Sequence, residues 1–400
     1  MQLSRNQIQL FSLIAVSMLA HVTMGGGRIT ASLFMLKHNN SQLLAGLAYS
    51  AYSVLPVLLS LAMGKWIDRV GARYVMRVSQ ALMIVGLAAP AVVPDAWVVM
   101  VTSTICGLGF ASYLLAANVA VSLMPFETHG ERVGMLGWLA MGNSVAAVGG
   151  PAIAGLMIDW SGFRAAYLAL ALIVAASLVV SFCVDVPGGA GAPRKDKAND
   201  GHSVVRMVFS DPALLRIYLL AMGISVSFDC FSFMTPVLGH ERGFSATTIG
   251  MIMSAFAVGS FAVRALLPLL SRHMTEWQML TSAYGILATG FLLLPFAHNS
   301  YVHASIGFFL GFAAGAGQPN ILSLIYRAMP PEKAGEGAGL RSAMGNTMGL
   351  TAPSAFGAVS GMFGAVPVFI GVGGIACVAA WQSHLGGLLS RLGGSPAKPG

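Results

Sequence analysis

The feature that most constrains this chain is a rhythm. Apolar runs of about 20 residues, the length a helix needs to cross a bilayer, recur from one end to the other, separated by short polar turns. Twelve such runs lie near 9–35, 42–63, 74–93, 97–123, 133–158, 163–184, 213–238, 246–270, 277–297, 302–326, 338–360 and 365–386. Backbone groups in lipid must be satisfied within the segment that carries them, so each run is expected to be a helix and the fold class an all-α membrane protein. Composition excludes the alternatives. Only 9% of the residues are charged and 56% are apolar, too few charges to cover a soluble globule and too many apolar groups for a disordered chain. The apolar character of the first run continues past Ala20 with no small-x-small cleavage pattern, so a retained anchor is expected rather than a cleaved leader.

An even number of crossings puts both termini on one side, and Lys and Arg accumulate in cytoplasmic loops. Seventeen Lys and Arg residues fall on the N-terminal side, against Lys37, Arg164 and Arg242 opposite, with Arg28 and Arg264 inside runs. Both termini are therefore expected to be cytoplasmic and the chain to sit in the cytoplasmic (inner) membrane. Topology and the acidic headgroups of the inner leaflet account for the net charge of +8, and nucleic acid is not expected as a partner. The four cysteines show no CxxC spacing and all lie in apolar stretches, as packing residues do; no metal site is read.

The longest polar interval separates six runs from six. The expected organisation is an N-terminal six-helix bundle over 1–185, a cytoplasmic linker over 186–212 and a C-terminal bundle over 213–400. Leu139-Ala140-Met141-Gly142-Asn143-Ser144 is echoed in the second half by Ser342-Ala343-Met344-Gly345-Asn346-Thr347, and Met124-Pro125-Phe126-Glu127 by Met329-Pro330-Pro331-Glu332. Both echoes keep their place in the sixfold order, so two pseudo-symmetric bundles about an axis along the membrane normal are expected.

Between the second and third runs stands Gly64-Lys65-Trp66-Ile67-Asp68-Arg69-Val70-Gly71-Ala72-Arg73. This turn resembles the signature loop of the major facilitator superfamily: a glycine ends the second helix, an aspartate follows four residues on, and a basic-glycine-basic tail leads into the third. Gly64 permits close backbone approach, and Asp68 can meet the positive N-terminal end of a neighbouring helix. The resemblance implies that Asp68, Arg69 and Arg73 stabilise the outward-open state, with Gly64 and Gly71 part of the same signature loop. The fifth run adds Gly142, Gly149, Gly150-Pro151 and Gly155, which loosely resemble a family pattern associated with proton-exchanging exporters; small residues at this spacing also serve helix packing alone. One departure leans the other way. Drug-exporting members often carry an Arg four residues before a Gly-x-Gly on the fourth helix, and here Gly107-Leu108-Gly109 is preceded at that position by Ser103.

Ionisable groups at bilayer depth are costly and mark function by default. Of the 14 acids, Asp229 alone falls well inside a run, which makes it the candidate proton carrier. A carboxylate in apolar surroundings holds its proton more tightly and a nearby Arg loosens it, so a moving Arg can load and unload it. Arg28 follows Gly25-Gly26-Gly27, and the internal repeat sets Gly25 opposite Asp229. Arg28 and Asp229 are expected to pair or to share a substrate, unless Arg28 simply snorkels to the outer interface. His21, about two helical turns from Arg28, is either a second titratable group or a packing histidine. Arg264 either faces the path or reaches the headgroups. Asn118, Asn143, Gln318, Asn320 and Asn346 are the polar residues able to line a path, and the repeat-related Asn143 and Asn346 can equally serve helix contacts.

No catalytic constellation, Walker loop or dinucleotide loop with a preceding strand is present in the sequence, so no enzyme activity and no cofactor are expected. Two Arg against one Asp lean toward an anionic or zwitterionic substrate. The reading is a monomeric, proton-coupled secondary transporter of a small organic solute, with small-molecule substrate, protons and the lipid bilayer as its partners and a lean to efflux. Import of a small organic acid and a non-transporting receptor or scaffold of the same fold are the alternatives.

Overall fold

The computed structural model describes residues 5–124, 129–183, 201–330 and 333–392. Those residues are almost wholly helical, with no strand among them. In order they form α1 (Arg5–Asn39), α2 (Gln42–Val70), α3 (Ala72–Val92), α4 (Ala96–Ser122), α5 (His129–Cys183), a short α6 (Gly201–Ser210), α7 (Pro212–Glu241), α8 (Ala246–Leu270), α9 (Glu276–Leu293), α10 (Ser300–Ala328), α11 (Ala334–Phe363) and α12 (Ala365–Leu392). The second echoed motif falls largely on 125–127 and 331–332, and most of the expected linker on 186–200, outside the described residues.

Among the described residues, ten stretches are long and apolar enough to cross a membrane. One of them, Gly137–Phe182, holds two crossings in 46 residues, because the backbone leaves helical geometry at Gly162 (φ 82°, ψ 179°) and turns back. Two hydrogen bonds to the same turn of α1 show the reversal: Ser17 Oγ donates to Asn143 Oδ1 at 2.8 Å and Ser177 Oγ donates to the Val16 carbonyl at 2.8 Å. The sequence placed the fifth and sixth helices apart, over 133–158 and 163–184. In the structure the break between them narrows to Gly162, a positive-φ position that a side chain adopts only with strain. Gly71 (φ 88°) and Gly364 (φ 80°) join α2 to α3 and α11 to α12 in the same way. α11, rich in Gly, Ser and Thr, is the remaining long helix, and with it the crossings among the described residues number twelve.

Helix starts follow local chemistry. Ser41, Asp95, Asp211, Ser245 and Asn299 each accept a backbone N–H of the first turn, and Thr275 with Gln278 forms a capping box, satisfying donors that a helix start leaves open. Inside the expected linker, α6 is a helix rather than irregular chain, with Val204 and Val208 buried. Cys106 and Cys230 are buried, but Cys377 is exposed and is not the packing residue the sequence suggested.

Packing shows the repeat directly. Glycine lets helix backbones meet, and membrane helices associate through such close contacts. A Cβ on Gly107 of α4 would strike the Tyr52 carbonyl of α2, and one on Gly311 of α10 would strike the Phe256 carbonyl of α8. Gly86 of α3 packs against Cys106 of α4, and Gly290 of α9 against Leu310 of α10. These are equivalent pairs in the two halves. The Gly107-x-Gly109 motif is therefore a packing element, with Gly109 against Ser79 of α3, and Ser103 beside it is buried.

Candidate functional site

The bundles meet along two seams, α2 with α11 and α5 with α8. Each seam sets a glycine of one bundle against a proline carbonyl of the other: Gly46 against Pro353, and Gly250 against Pro151. Gly357 and Gly155 extend them, packing on the Gln42 and Ala246 carbonyls. Polar bonds lie alongside. Ser354 Oγ donates to Ser50 Oγ at 2.8 Å, Ser254 Oγ donates to the Val148 carbonyl at 2.6 Å, and Gln42 Nε2 donates to Glu241 Oε1 at 2.6 Å.

At the end of the α5–α8 seam, Asp159 caps a helix of the other bundle. Its carboxylate accepts Ala246 N at 3.1 Å and Thr247 N at 2.7 Å, while Ser245 Oγ accepts Thr248 N at 3.1 Å. Three of the N–H groups that open α8 are thus satisfied, one pair of them across the bundle boundary, where negative charge also complements the helix dipole.

These seams close the face opposite the basic loops. Toward the loop face the bundles part. Gly64 of α2, Gly137 of α5, and Gly335 and Gly339 of α11 would meet nothing within 4 Å if given a Cβ, and Leu58, Trp138, Met141 and Leu266 are exposed. The signature loop lies on this open face. Asp68 and Arg69 are exposed and Arg73 is half-buried. Gly64, expected to allow close approach, faces open space here. Gly71 supplies a different service, the positive φ that ends α2 and starts α3.

Between seams and open face lies a cavity of about 540 Å³ walled by both bundles, inside the usual range for small-molecule sites. At its closed end Arg28 donates to Ser53 Oγ at 3.3 Å and Tyr49 Oη at 3.5 Å, with its guanidinium 4.7 Å from the centre of the Tyr49 ring. Asp229 is 6% exposed, and its Oδ2 lies 3.8 Å from the ideal Cβ position of Gly349, which is itself 3.3 Å from Ser53 Oγ. Arg28 and Asp229 thus flank Ser53 and interact through their charges without a direct ion pair.

At the open end, Arg264 lines the cavity as an exposed residue, and its Nη1 donates to Ser144 Oγ of the other bundle at 2.6 Å. His21 lines the same end, edge-on to Phe110 with ring centres 5.0 Å apart; its Nδ1 is buried without a partner. Asn143 is buried against Ser17 and lines the cavity together with Gln318. The other expected path residues lie elsewhere. Asn118 is exposed and donates to the Leu114 carbonyl at 2.8 Å. Asn346 is exposed, unlike its repeat mate Asn143, and Asn320 is buried and donates to the Ala316 carbonyl at 2.8 Å. On α5, a Cβ at Gly142 would press on Ile14 and one at Gly150 would strike the Val22 carbonyl, whereas Gly149 has ordinary room.

Sequence reasoning missed Tyr49, Ser53 and Ser144, and it gave no role to Asp159, which stands in the stretch Asp159-Trp160-Ser161-Gly162-Phe163-Arg164 that also resembles the family. Asp159 carried one faint signal, an acid directly at the reversal between two crossings.

Two pseudo-symmetric six-helix bundles around a central cleft, sealed on one face and parted on the other, define a polytopic membrane protein built for passage of a solute. The sequence family agrees: the model of the Major Facilitator Superfamily matches residues 13–353 and 243–391, and the chain belongs to that family. It is a multi-pass membrane transporter and not an enzyme. Among its relatives is the tetracycline resistance protein of class G from Vibrio anguillarum, 24% identical over 330 residues that cover 78% of this chain and 80% of that one. Another is the multi-drug resistance efflux pump PmrA of Streptococcus pneumoniae serotype 4, 22% identical over 329 residues and 81% of each chain. Solved structures share the fold. The bacterial homolog of the human lysosomal transporter Spinster, inward-facing and unoccupied, matches at a TM-score of 0.78 and 12% identity over 99% of this chain and 100% of that one. The nucleoside transporter NupG matches at 0.75 and 15% identity over 94% and 98%.

Proposed function

We propose that this protein is a proton-coupled secondary transporter that exports a small organic solute by rocking its bundles, 1–185 and 213–400, about the central cavity. The observation that carries the reading is the Arg28–Ser53–Asp229 cluster. It sets Asp229, buried in one bundle, and Ser53 of the other around the same glycine, Gly349, while Arg28, which lines the cavity, bonds Ser53. When Asp229 is charged, Arg28 is held toward it and the seams stay shut; when Asp229 takes a proton, that attraction is lost and the bundles can part on this face. The Gly–Pro carbonyl seams and the Asp159 cap act as the gate on one side. Asp68, exposed here, acts as its counterpart on the loop face when that face closes. The relatives described as resistance proteins and efflux pumps support export. The basic loops support a cytoplasmic position for the open face and both termini in the inner membrane, so the structure is the inward-open state.

The test is proton movement. Purified protein is reconstituted in liposomes containing a pH-sensitive dye, and organic solutes are added outside one at a time. A substrate moves protons opposite to its own gradient with the wild type and not with Asp229→Asn. A solute gradient that the protein dissipates with no proton movement, or with equal movement in Asp229→Asn, overturns the reading.

A further inference from the structure

We infer that the cleft selects amphipathic aromatic carboxylates, with the carboxylate held by Arg264 at the open end. This rests on the transport reading above and names the substrate class of the same cavity. Arg28 shares its charge with Asp229, but Arg264 has no carboxylate facing it. Among the described residues its side-chain hydrogen bond is the single one to Ser144 Oγ, and the lining of the cavity offers it His21, Ser260, Gln318 and Asn143, none of them acidic. A guanidinium has five donors in a planar fork that matches a carboxylate. Standing uncompensated between apolar helices, it concentrates anions at the mouth of the cleft.

The middle of the cavity sets the rest of the molecule. Phe110 from one bundle faces Phe228, Phe231 and Phe256 from the other. Phe231 and Phe256 stack with centres 4.4 Å apart, and Phe228 meets Phe256 edge-on at 5.5 Å. Phe228 remains 39% exposed, an accessible ring edge for a flat apolar guest. The two poles are set by His21 and Arg28, seven residues apart on one helix and so about 10 Å along it, room for one fused ring system between them. A lipophilic cation would meet two guanidiniums, and no acid stands among the residues that line the cavity.

Three probes of equal shape separate the cases: 2-naphthoate, 2-naphthalenemethanol and 2-naphthylmethylammonium, titrated calorimetrically into the purified full chain at neutral pH. Naphthoate is expected to bind tightest. Arg264→Gln is expected to weaken it about 10- to 100-fold, the range for loss of a charged hydrogen bond. Arg264→Lys, which keeps the charge but not the fork, restores part of that loss and shows that the site still folds. No naphthoate binding, equal or stronger binding of the ammonium, or unchanged naphthoate binding by Arg264→Gln overturns the inference. Naphthoate binding without proton movement in liposomes counts against the transport reading alone. Proton movement driven by the ammonium, with no naphthoate binding, counts against this inference alone.

Discussion

Replacing Gly250 by Ala adds one methyl group at the α5–α8 seam. That methyl would lie inside contact distance of the Pro151 carbonyl oxygen, 3.0 Å from its carbon and 3.3 Å from Ala152 Cα. All three are backbone atoms, so no rotamer change relieves the clash. Ordinary contact returns only if the helices separate by roughly 1 Å. Overpacking of this kind costs about 1–3 kcal/mol, and because the contact exists only where the seam is shut, the loss falls on that state. The ratio of closed to open seam is expected to fall about 5- to 150-fold. Gly46→Ala should act alike at the α2–α11 seam, where the methyl meets the Pro353 carbonyl and lies 3.2 Å from Ser354 Cα. Gly149→Ala on α5, with its nearest neighbour at 3.8 Å, is the control. Spin labels at 94 and 298, exposed on the seam face of opposite bundles, report the separation by electron-electron double resonance. Distance distributions for Gly250→Ala and Gly46→Ala that match that of Gly149→Ala would refute the seam argument.

Other substitutions probe other parts of the fold. Asp159→Ala removes a cross-bundle cap and, on the scale of helix caps, shifts the same equilibrium by about 0.5–2 kcal/mol toward the open seam, visible with the same labels; Asp159→Asn should retain part of the effect, and no change in either variant would show the cap to be idle. Gly162→Ala places a side chain at φ 82°, ψ 179° in otherwise empty space, so it should destabilise the fold by the backbone penalty of that glycine-only region alone, about 1–3 kcal/mol, read as a lower melting temperature. Gly285→Ala, also in empty space but at helical φ, should be neutral or slightly stabilising. Asp68→Asn should leave the seam-shut state as stable as before, since Asp68 is exposed in it, and should disfavour the opposite state; a loss of seam closure would contradict the assignment of the loop to the other gate.

The sequence disclosed the crossings because apolar length is a one-dimensional signal, whereas the caps Ser41, Asp95 and Thr275 emerge only in the structure. It also disclosed the repeat, which the matched Gly107 and Gly311 contacts display in three dimensions. What it withheld was rotation. These helices are apolar on nearly every face, so no periodicity says which side looks into the cleft; Asn143 and Gln318 do, whereas Asn118 and Asn346 do not line it. Rare charges escaped that limit, since the cost of facing lipid restricts where Arg28, Asp229 and Arg264 can point. Their partners did not, because Ser53, Tyr49 and Ser144 are common residues made special only by contacts between distant segments. The seams were hidden for the same reason, although Gly46 and Gly250 are repeat mates and so carried a trace of their shared role.

The most direct measurement is the separation of the bundles as a function of pH without any substrate, using the labels at 94 and 298. Lowering the pH should lengthen the seam-face distance in the wild type, as protonation of Asp229 releases Arg28, while Asp229→Asn should show the long distance at every pH. A wild-type distribution that ignores pH, or an Asp229→Asn distribution that still follows it, would contradict coupling through this carboxylate.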